Sequence, residues 1–465
     1  MGAFHAYDIR GKYNVDFDKD TVYKVGYFLP ELLKVDKVLV GRDMRLSSDE
    51  IHDYLLKGIT DAGADVYDIG LATTPYVYYA TAFKGFGASV QITASHNPKN
   101  DNGLKVSREN ALPVGYDNGL GEIERWIKEC RPTPVAQRRG SVNIVDYRQD
   151  YLDFQRKWLG NLDGLKISMD LSNGASALFV KELFKGADIE WLCDTLDGSF
   201  PNHEPNPLVA ENREMLRKHL LANKSDIGVI YDGDADRVMF IDENGRFVSP
   251  DLLIAILGHF FIEGKGTSKA AAAIRENAAN RTAEVKVLQD IRSSKAVGEY
   301  LLPMGGIINT WKVGRAYAAP RLREIDGLFG GELAGHYYFK DFSYSDSGIM
   351  ASLIILDIVA SFAREGVKFS ELVSRVEKYK NSGEINFKID RKRDAMDAVR
   401  DYFTSKEKPV ASFDFDGYRV EFPQWWFNIR PSNTEPYLRF ICEAANDEIL
   451  SEKVAKVREI VESLQ

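Results

Sequence analysis

Cysteine is scarce in this 465-residue chain: there are three, Cys130, Cys193 and Cys442, widely separated and odd in number. They form neither a disulfide framework nor a metal-binding spacing, so a reducing cytoplasm is the expected compartment. The opening Met-Gly-Ala-Phe-His-Ala-Tyr-Asp-Ile-Arg lacks the basic-then-apolar pattern of a secretion signal, in keeping with that expectation. Long uninterrupted apolar runs are missing too. Residues 252–262 are too few to span a bilayer and include His259, and residues 349–362 include Asp357. Both read as core helices, and no membrane partner is expected. Nor is there an excess of positive charge: the net charge of −9 argues against general nucleic-acid binding. It leaves room for local Arg and Lys clusters that hold phosphate.

Low-complexity tracts and clean repeats are also lacking. What is present suits packed domains, with 44% hydrophobic and 11% aromatic residues, and the length suggests about three or four of them. Short apolar stretches at 37–40, 88–93, 166–170, 226–231, 238–241 and 385–389 read as strands, and 48–62 and 147–159 as helices. Ser249-Pro250-Asp251 reads as a helix start with proline in its first position. Leu450, Val454, Val457, Val461 and Leu464 share one face of a last helix. The expected division is three mixed α/β units, 1–150, 151–248 and 249–372, followed by a smaller α+β unit, 373–465. A hinge is expected at residues 381–384, at Asn381-Ser-Gly383.

The densest chemistry lies in Asp232-Gly233-Asp234-Ala235-Asp236-Arg237. Three carboxylates alternate with the smallest residues between two strand-like segments. Such crowding is repulsive without a cation, and oxygen-only ligands select a hard one, Mg²⁺ or Ca²⁺. An EF-hand loop would use Asp232, Asp234, Asp236 and Glu243. It fails because Arg237 stands where the turn needs glycine and the flanks are not helical.

Three further segments carry suitable groups. Thr93-Ala-Ser95-His96-Asn97-Pro98 follows a strand and precedes Asn102-Gly-Leu-Lys105. Ser95 could act as a nucleophile if His96, Lys105 or the bound cation activated it; alone, the segment is an ordinary polar turn. Gly330-Gly-Glu332-Leu-Ala334-Gly-His336 offers a carboxylate for sugar hydroxyls and an imidazole for proton transfer, or is simply a glycine turn. Arg430-Pro-Ser432-Asn433-Thr434-Glu-Pro436 combines a guanidinium, two hydroxyls and an amide, a set suited to phosphate, within what could be a proline-bounded turn.

These four motifs, in this order, resemble the α-D-phosphohexomutase family of phosphomannomutases and phosphoglucomutases. Tyr7-Asp-Ile-Arg-Gly11, Gly41-Arg-Asp-Met-Arg45, Phe200-Pro-Asn-His-Glu-Pro-Asn-Pro207 and Asp346-Ser-Gly348 extend the resemblance over essentially the whole chain. It implies four domains around a central cleft and an enzyme that interconverts hexose 1-phosphates and 6-phosphates. Ser95 would be a phosphoserine, and Asp232, Asp234 and Asp236 would hold Mg²⁺ together with an oxygen on Ser95. Arg10, His96, Lys105 and Arg237 match positions around the transferred phosphoryl group. Glu332 and His336 match the sugar loop, and Arg430, Ser432, Asn433 and Thr434 the loop that grips the other phosphate. A hexose 1,6-bisphosphate would be both intermediate and activator. The partner would be a phosphosugar, and the protein a monomer or homodimer.

Two departures stand out. Ala334 replaces the serine of the family's Gly-Glu-x-Ser-Gly-His, removing a hydroxyl. Arg315 in Trp311-Lys-Val-Gly-Arg315 replaces a histidine, and arginine is no base near neutral pH, so that acid–base duty falls to His336 or Lys105 or is lost. Alternatives are a phosphoglucosamine mutase, a catalytically weakened phosphosugar-binding protein, and a phosphatase that passes the phosphoryl group to water.

Overall fold

The computed structural model describes residues 2–278, 283–432 and 437–464. Four sheets account for the described strands. In the first, Lys37–Arg42 lies between Asp65–Leu71 and Ala88–Ile92, all parallel, and Ala88–Ile92 then turns back into the antiparallel strand Asp101–Arg108. The second repeats this plan. Ile167–Asp170 lies between Ile189–Leu192 and Ile227–Tyr231, which turns back into Val238–Asp242. The third repeats it again, with Val285–Asp290 between Gly306–Trp311 and Phe329–Gly331, which turns back into Tyr337–Phe339. A repeat therefore exists that no matching residues reveal, because a sheet topology constrains hydrophobic pattern and turn placement but not residue identity.

The strands that make these turns are the most enclosed. Every residue of Ala88–Ile92 and of Ile227–Tyr231 is buried, as expected for strands covered on both faces by crossover helices. The turns follow the carboxyl ends of parallel strands, where α/β sheets present ligand sites. Three expected motifs occupy this same place in three successive units: the serine loop, the aspartate loop and the glycine loop.

The two apolar runs are core helices, Leu252–Phe261 and Gly348–Ala363. Asp357 is tolerated in the second because Thr267 N and Oγ1 and Ser268 N donate to its carboxylate at 2.8–3.0 Å. The helix expected to begin at Pro250 begins at Leu252. Asp251 turns its carboxylate sideways to Ser294 N, 2.7 Å away, so the preceding residues serve a tertiary contact. One continuous apolar cluster spans the first three units, joining Tyr76 and Tyr151 to Tyr231, Leu253, Phe329 and Ile354.

The fourth sheet is wholly antiparallel and has a core of its own, including Phe387, Phe403, Trp425 and Val461. Asp447–Glu462 is the last helix and covers that core. Asn381, the first residue of the expected hinge, pairs with this sheet. The strand Lys380–Asn381 pairs with Glu443 and Ala444, and Ser382 N donates to Cys442 O at 2.9 Å. Residues 377–379 before this short strand and 382–384 after it lie outside helix and strand.

Candidate active site

Ser95 stands in the first of the three turns with φ +52, a left-handed backbone rarely held by residues other than glycine. Buried Arg45 supports it. Its guanidinium donates to the carbonyl oxygens of Ser95 (2.8 Å), Asn97 (2.7 Å), Pro98 (2.7 Å) and Asp101 (2.9 Å), with Asp43 beside it at 3.2 Å. The Ser95 backbone N–H donates to Thr93 Oγ1 at 2.9 Å. Four loop carbonyls tied to one planar cation fix the serine's direction, and its Oγ donates to Asp232 Oδ2 at 2.9 Å.

The aspartate loop meets this serine from the second unit. Gly233 is required where the two loops touch, since a Cβ there would lie 2.5 Å from the Ser95 carbonyl oxygen. Asp232, Asp234 and Asp236 are buried, and one oxygen from each lies within 4.8 Å of the others. Lys105 donates to Asp234 Oδ2 at 2.6 Å and also to Asp236, and Thr74 Oγ1 donates to Asp234. Oδ1 of Asp234 and Oδ1 of Asp236 are buried without a partner. Burial, then the charges of Asp236 and Asp234, push the Asp232 carboxyl well above the usual carboxylate range. Lys105 and the more distant Arg237, whose Nε lies 3.8 Å from Asp232 Oδ2, leave three crowded carboxylates with two oxygens lacking hydrogen bonds, and an all-oxygen donor set of this kind fits a hard divalent cation.

The glycine loop closes the site from the third unit. Arg237 Nε donates to His336 Nε2 at 2.9 Å, and His336 Nδ1 faces Asp346 Oδ2 at 2.7 Å. Since Asp346 is ionised, the ring proton lies on Nδ1 and the lone pair on Nε2. Burial pushes the Asp346 carboxyl upward, but the hydrogen bond from His336 and the charges of Arg315 and Lys105 outweigh it and leave the carboxyl below its ordinary range. Glu332 accepts from Tyr338 OH at 2.5 Å and from Gly314 N at 3.2 Å, and burial raises its carboxyl. Ala334 lines the cleft, so the missing hydroxyl is missing from its wall.

Two ionisation states narrow the acid–base assignments. Burial works to lower the Lys105 ammonium, but Asp234 and Asp236 overcome it and raise it, so Lys105 is no base near neutral pH. Burial, then Arg237, Arg10 and Lys105, hold His96 well below its ordinary value, and its buried Nδ1 has no hydrogen-bond partner. Arg10 donates to Asn97 Oδ1 at 3.2 Å and to Asp8, with its Nε unpartnered.

Arg315 is not a free cation in this wall. Its Nε donates to Asp346 Oδ1 at 2.9 Å, its Nη2 to the Ala111 carbonyl at 2.6 Å, and its guanidinium carbon lies 3.7 Å from the centre of the Tyr78 ring. It joins the first unit to the third.

The central cleft, about 740 Å³, is lined by Arg10, His96, Lys105, Asp236, Arg237, Glu332, Ala334 and His336, all expected from the sequence. Ser95, Asp232 and Asp234 lie buried beneath that surface. Among the described residues, six cationic side chains reach the cleft: Arg10, Lys105, Arg237, Arg292, Arg315 and Arg439. The fourth unit contributes Arg439, which pairs across the sheet with Arg430. Arg430 itself is buried and does not line the cleft: its Nε donates to Asp416 Oδ1 at 3.1 Å, and its Nη2 has no partner. Ser432 N donates to Tyr437 O at 2.9 Å, while Asn433 and Thr434 lie outside the described residues. Arg292 and Arg439 escaped sequence reading because neither stands in a recognisable loop. Arg45 stands in a quoted segment, but its four acceptors lie 50 or more residues away.

The chain matches the descriptions "Phosphoglucomutase/phosphomannomutase, alpha/beta/alpha domain I" over residues 1–132, domain II over 147–245 and domain III over 265–379. It matches that family's C-terminal domain over 384–460. It is 34% identical over 463 residues to a phosphomannomutase of Escherichia coli (strain K12), covering 97% of each chain. A phosphomannomutase of Methanocaldococcus jannaschii is 31% identical over 468 residues, covering 99% of this chain and 98% of that one. Among solved structures, a phosphoglucomutase/phosphomannomutase family protein from Burkholderia thailandensis superposes with a TM-score of 0.85 at 26% identity, covering 99% of this chain and 97% of that one. With four domain matches in order and full-length relatives above 30% identity, this chain is a member of the phosphoglucomutase/phosphomannomutase family of enzymes.

Proposed function

We propose that the protein is a phosphohexomutase that interconverts the 1-phosphate and 6-phosphate of mannose, glucose or both, through a phosphoserine at Ser95 and a hexose 1,6-bisphosphate. The observation that carries the proposal is the contact of Ser95 Oγ with Asp232 at 2.9 Å, beneath the cleft lined with those six cations. A binding protein has no need for a serine strained into a carboxylate cage.

Phosphoryl transfer depends on positioning and charge neutralisation more than on covalent assistance. Asp232, Asp234, Asp236 and an oxygen on Ser95 would hold Mg²⁺, which when bound would supply charge neutralisation at the phosphoryl group. Arg10, Lys105 and Arg237 add positive charge from the cleft side. In the first half-reaction the phosphorus–Ser95 Oγ bond breaks and a bond to the free sugar hydroxyl forms. His336 Nε2 takes the hydroxyl proton. Arg237 Nε occupies that lone pair in the free protein, and it is released when Arg237 turns to a phosphoryl oxygen. The bisphosphate then reverses end for end, Ser95 Oγ takes its other phosphoryl group as that phosphorus–sugar oxygen bond breaks, and His336 returns its proton to the departing sugar oxygen. Retention during reversal falls to the fourth domain through Arg430, Ser432, Asn433 and Thr434, with Arg439 on the cleft wall.

The commitment of Arg315 to Tyr78, Ala111 and Asp346 weakens the case for a merely binding protein, because the substituted arginine builds the site and leaves the serine and aspartates in place. Three free cysteines suit a cytoplasmic enzyme. Phosphorus NMR of the protein with Mg²⁺, a trace of glucose 1,6-bisphosphate, and glucose 1-phosphate or mannose 1-phosphate tests the proposal. The expected result is conversion to the 6-phosphates. Absence of turnover, or steady release of inorganic phosphate, contradicts it.

A further inference from the structure

Behind the aspartate loop, in the second unit, three unlike side chains converge that the proposed reaction does not use. Asp170 ends the strand Ile167–Asp170, Cys193 follows the strand Ile189–Leu192, and His203 lies on the connection that follows. One carboxylate oxygen, the thiol sulfur and one imidazole nitrogen lie within 4.8 Å of one another. A tetrahedral site with metal–ligand bonds of roughly 2.0–2.3 Å has edges of roughly 3.3–3.7 Å, so an ion would draw these atoms together by about 1.5 Å at most.

The imidazole is aimed by its surroundings. His203 Nδ1 lies 2.9 Å from the Glu204 carbonyl oxygen, which can only accept, so Nδ1 carries a proton. Nε2 therefore faces Asp170 Oδ2, at 3.1 Å, and the Cys193 sulfur lies within 4.8 Å of both groups. This backing of one ring nitrogen by a carbonyl is the usual support of a metal-ligating histidine. Asp170 is likewise fixed, its Oδ1 accepting from Ser172 N at 2.8 Å. A ring lone pair, a carboxylate and a sulfur facing one another require positive charge between them. A proton on Nε2 can supply it, and so can a metal ion.

We propose that Asp170 Oδ2, Cys193 Sγ and His203 Nε2 form a second metal site, for a borderline divalent ion of the zinc class. The sulfur and nitrogen ligands set it apart from the oxygen-only aspartate loop. On binding, the Cys193 S–H bond and the His203 Nε2–H bond each release a proton to solvent, and bonds from sulfur, nitrogen and oxygen to the metal form. The charges balance. Carboxylate, imidazolium and thiol sum to zero, as do carboxylate, imidazole, thiolate and a divalent ion. Cys193 is partly exposed, which gives an ion and a fourth, water ligand access. Met215 Sδ lies 3.8 Å from Cys193 Sγ on the same side.

The site would also brace the catalytic floor. Ser172 Oγ donates to Tyr231 O at 2.6 Å and Ala175 N to Gly233 O at 2.9 Å, so the segment after Asp170 holds the aspartate loop from behind. The test is titration of the full chain with Co²⁺, in excess Mg²⁺ to fill the oxygen site, while recording the near-ultraviolet charge-transfer band of a thiolate–cobalt bond. One equivalent should develop the band with two protons released per ion. Cys193→Ser should remove the band and weaken Co²⁺ binding at least about tenfold, whereas Cys130→Ser should leave both unchanged. Zn²⁺ should raise the Tm of the parent and not that of Cys193→Ser. No band, or a band that survives Cys193→Ser, overturns the proposal and leaves His203 and Asp170 as a plain ion pair.

Discussion

Arg315 lies over Tyr78, its guanidinium carbon 3.7 Å from the ring centre, and from there reaches Asp346, the carboxylate that orients His336. The residue that departs from the family pattern is thus built into the support of the imidazole proposed to move the proton. Arg315→Ala strips a fully buried carboxylate of one of two partners, a change that costs about 3–5 kcal/mol in comparable buried pairs. We expect a Tm several degrees lower and a reduced kcat. Arg315→Lys keeps the charge but cannot reach Ala111 and Asp346 together, so it should recover only part of each. Full activity in Arg315→Ala would show that Asp346 orients His336 unaided.

Lys105 holds Asp234 and Asp236, two of the carboxylates proposed to bind Mg²⁺, and so would compete with that ion. Lys105→Met should therefore bind Mg²⁺ more tightly than the parent while losing most of its kcat, and calorimetric titration with Mg²⁺ separates the two effects. In the parent, Mg²⁺ at 100 times its Kd should stabilise the fold by about 2.7 kcal/mol, and chelation should abolish turnover. Unchanged or weaker Mg²⁺ binding in Lys105→Met would contradict the competition.

Glu443 sits where the fourth sheet meets the third unit, accepting from Ser294 Oγ (2.6 Å), Trp426 Nε1 (2.8 Å) and Asn381 Nδ2 (2.9 Å). Burial, then the charge of Asp251, raises its carboxyl above the ordinary value. A carboxyl raised in the folded state favours folding while both states are protonated, and that contribution is lost as pH rises from about 4.5 through the folded value. Glu443→Gln should thus gain stability relative to the parent as pH increases. Denaturant midpoints of the two proteins at pH 4.5 and 7.5 check this; a pH-independent difference would contradict it.

How much of this was legible depended on how local the chemistry is. The three aspartates stand out because their repulsion is written into five consecutive residues, whereas Ser95, Glu332 and His336 sit in turns that are ordinary by themselves and gain weight only from the other motifs. Like the aspartates, the long apolar runs declared their helices locally. Arg45, Arg292 and Arg439 did not, since an arginine's partners are set by the tertiary fold. The threefold repeat was invisible because it lies in strand order. What the turn-like composition of Asn381-Ser-Gly383 could not show is that the backbone of Lys380 and Asn381 pairs with Glu443 and Ala444, residues far along the chain, before residues 382–384 leave regular structure.

The fourth domain also touches the third through Asp416, whose carboxylate takes Val313 N at 3.0 Å and Arg430 Nε at 3.1 Å. Tyr7 OH donates to the Val313 carbonyl at 3.0 Å, so one short loop joins three domains. Asp416→Ala should free Arg430 and loosen this junction. The expected result is about tenfold more hexose bisphosphate escaping per turnover, with kcat and KM changing together. Unaltered escape would place retention elsewhere.

Ser95 carries the central claim, and rapid acid quench of the protein with glucose 1,6-bisphosphate labelled in both phosphates, followed by peptide mapping, tests it most directly. The account predicts label on the peptide containing Ser95, release of an equal amount of glucose monophosphate, and loss of both in Ser95→Ala, with kcat falling by at least about 10⁴-fold. Label on another residue, or turnover that survives Ser95→Ala, would contradict it.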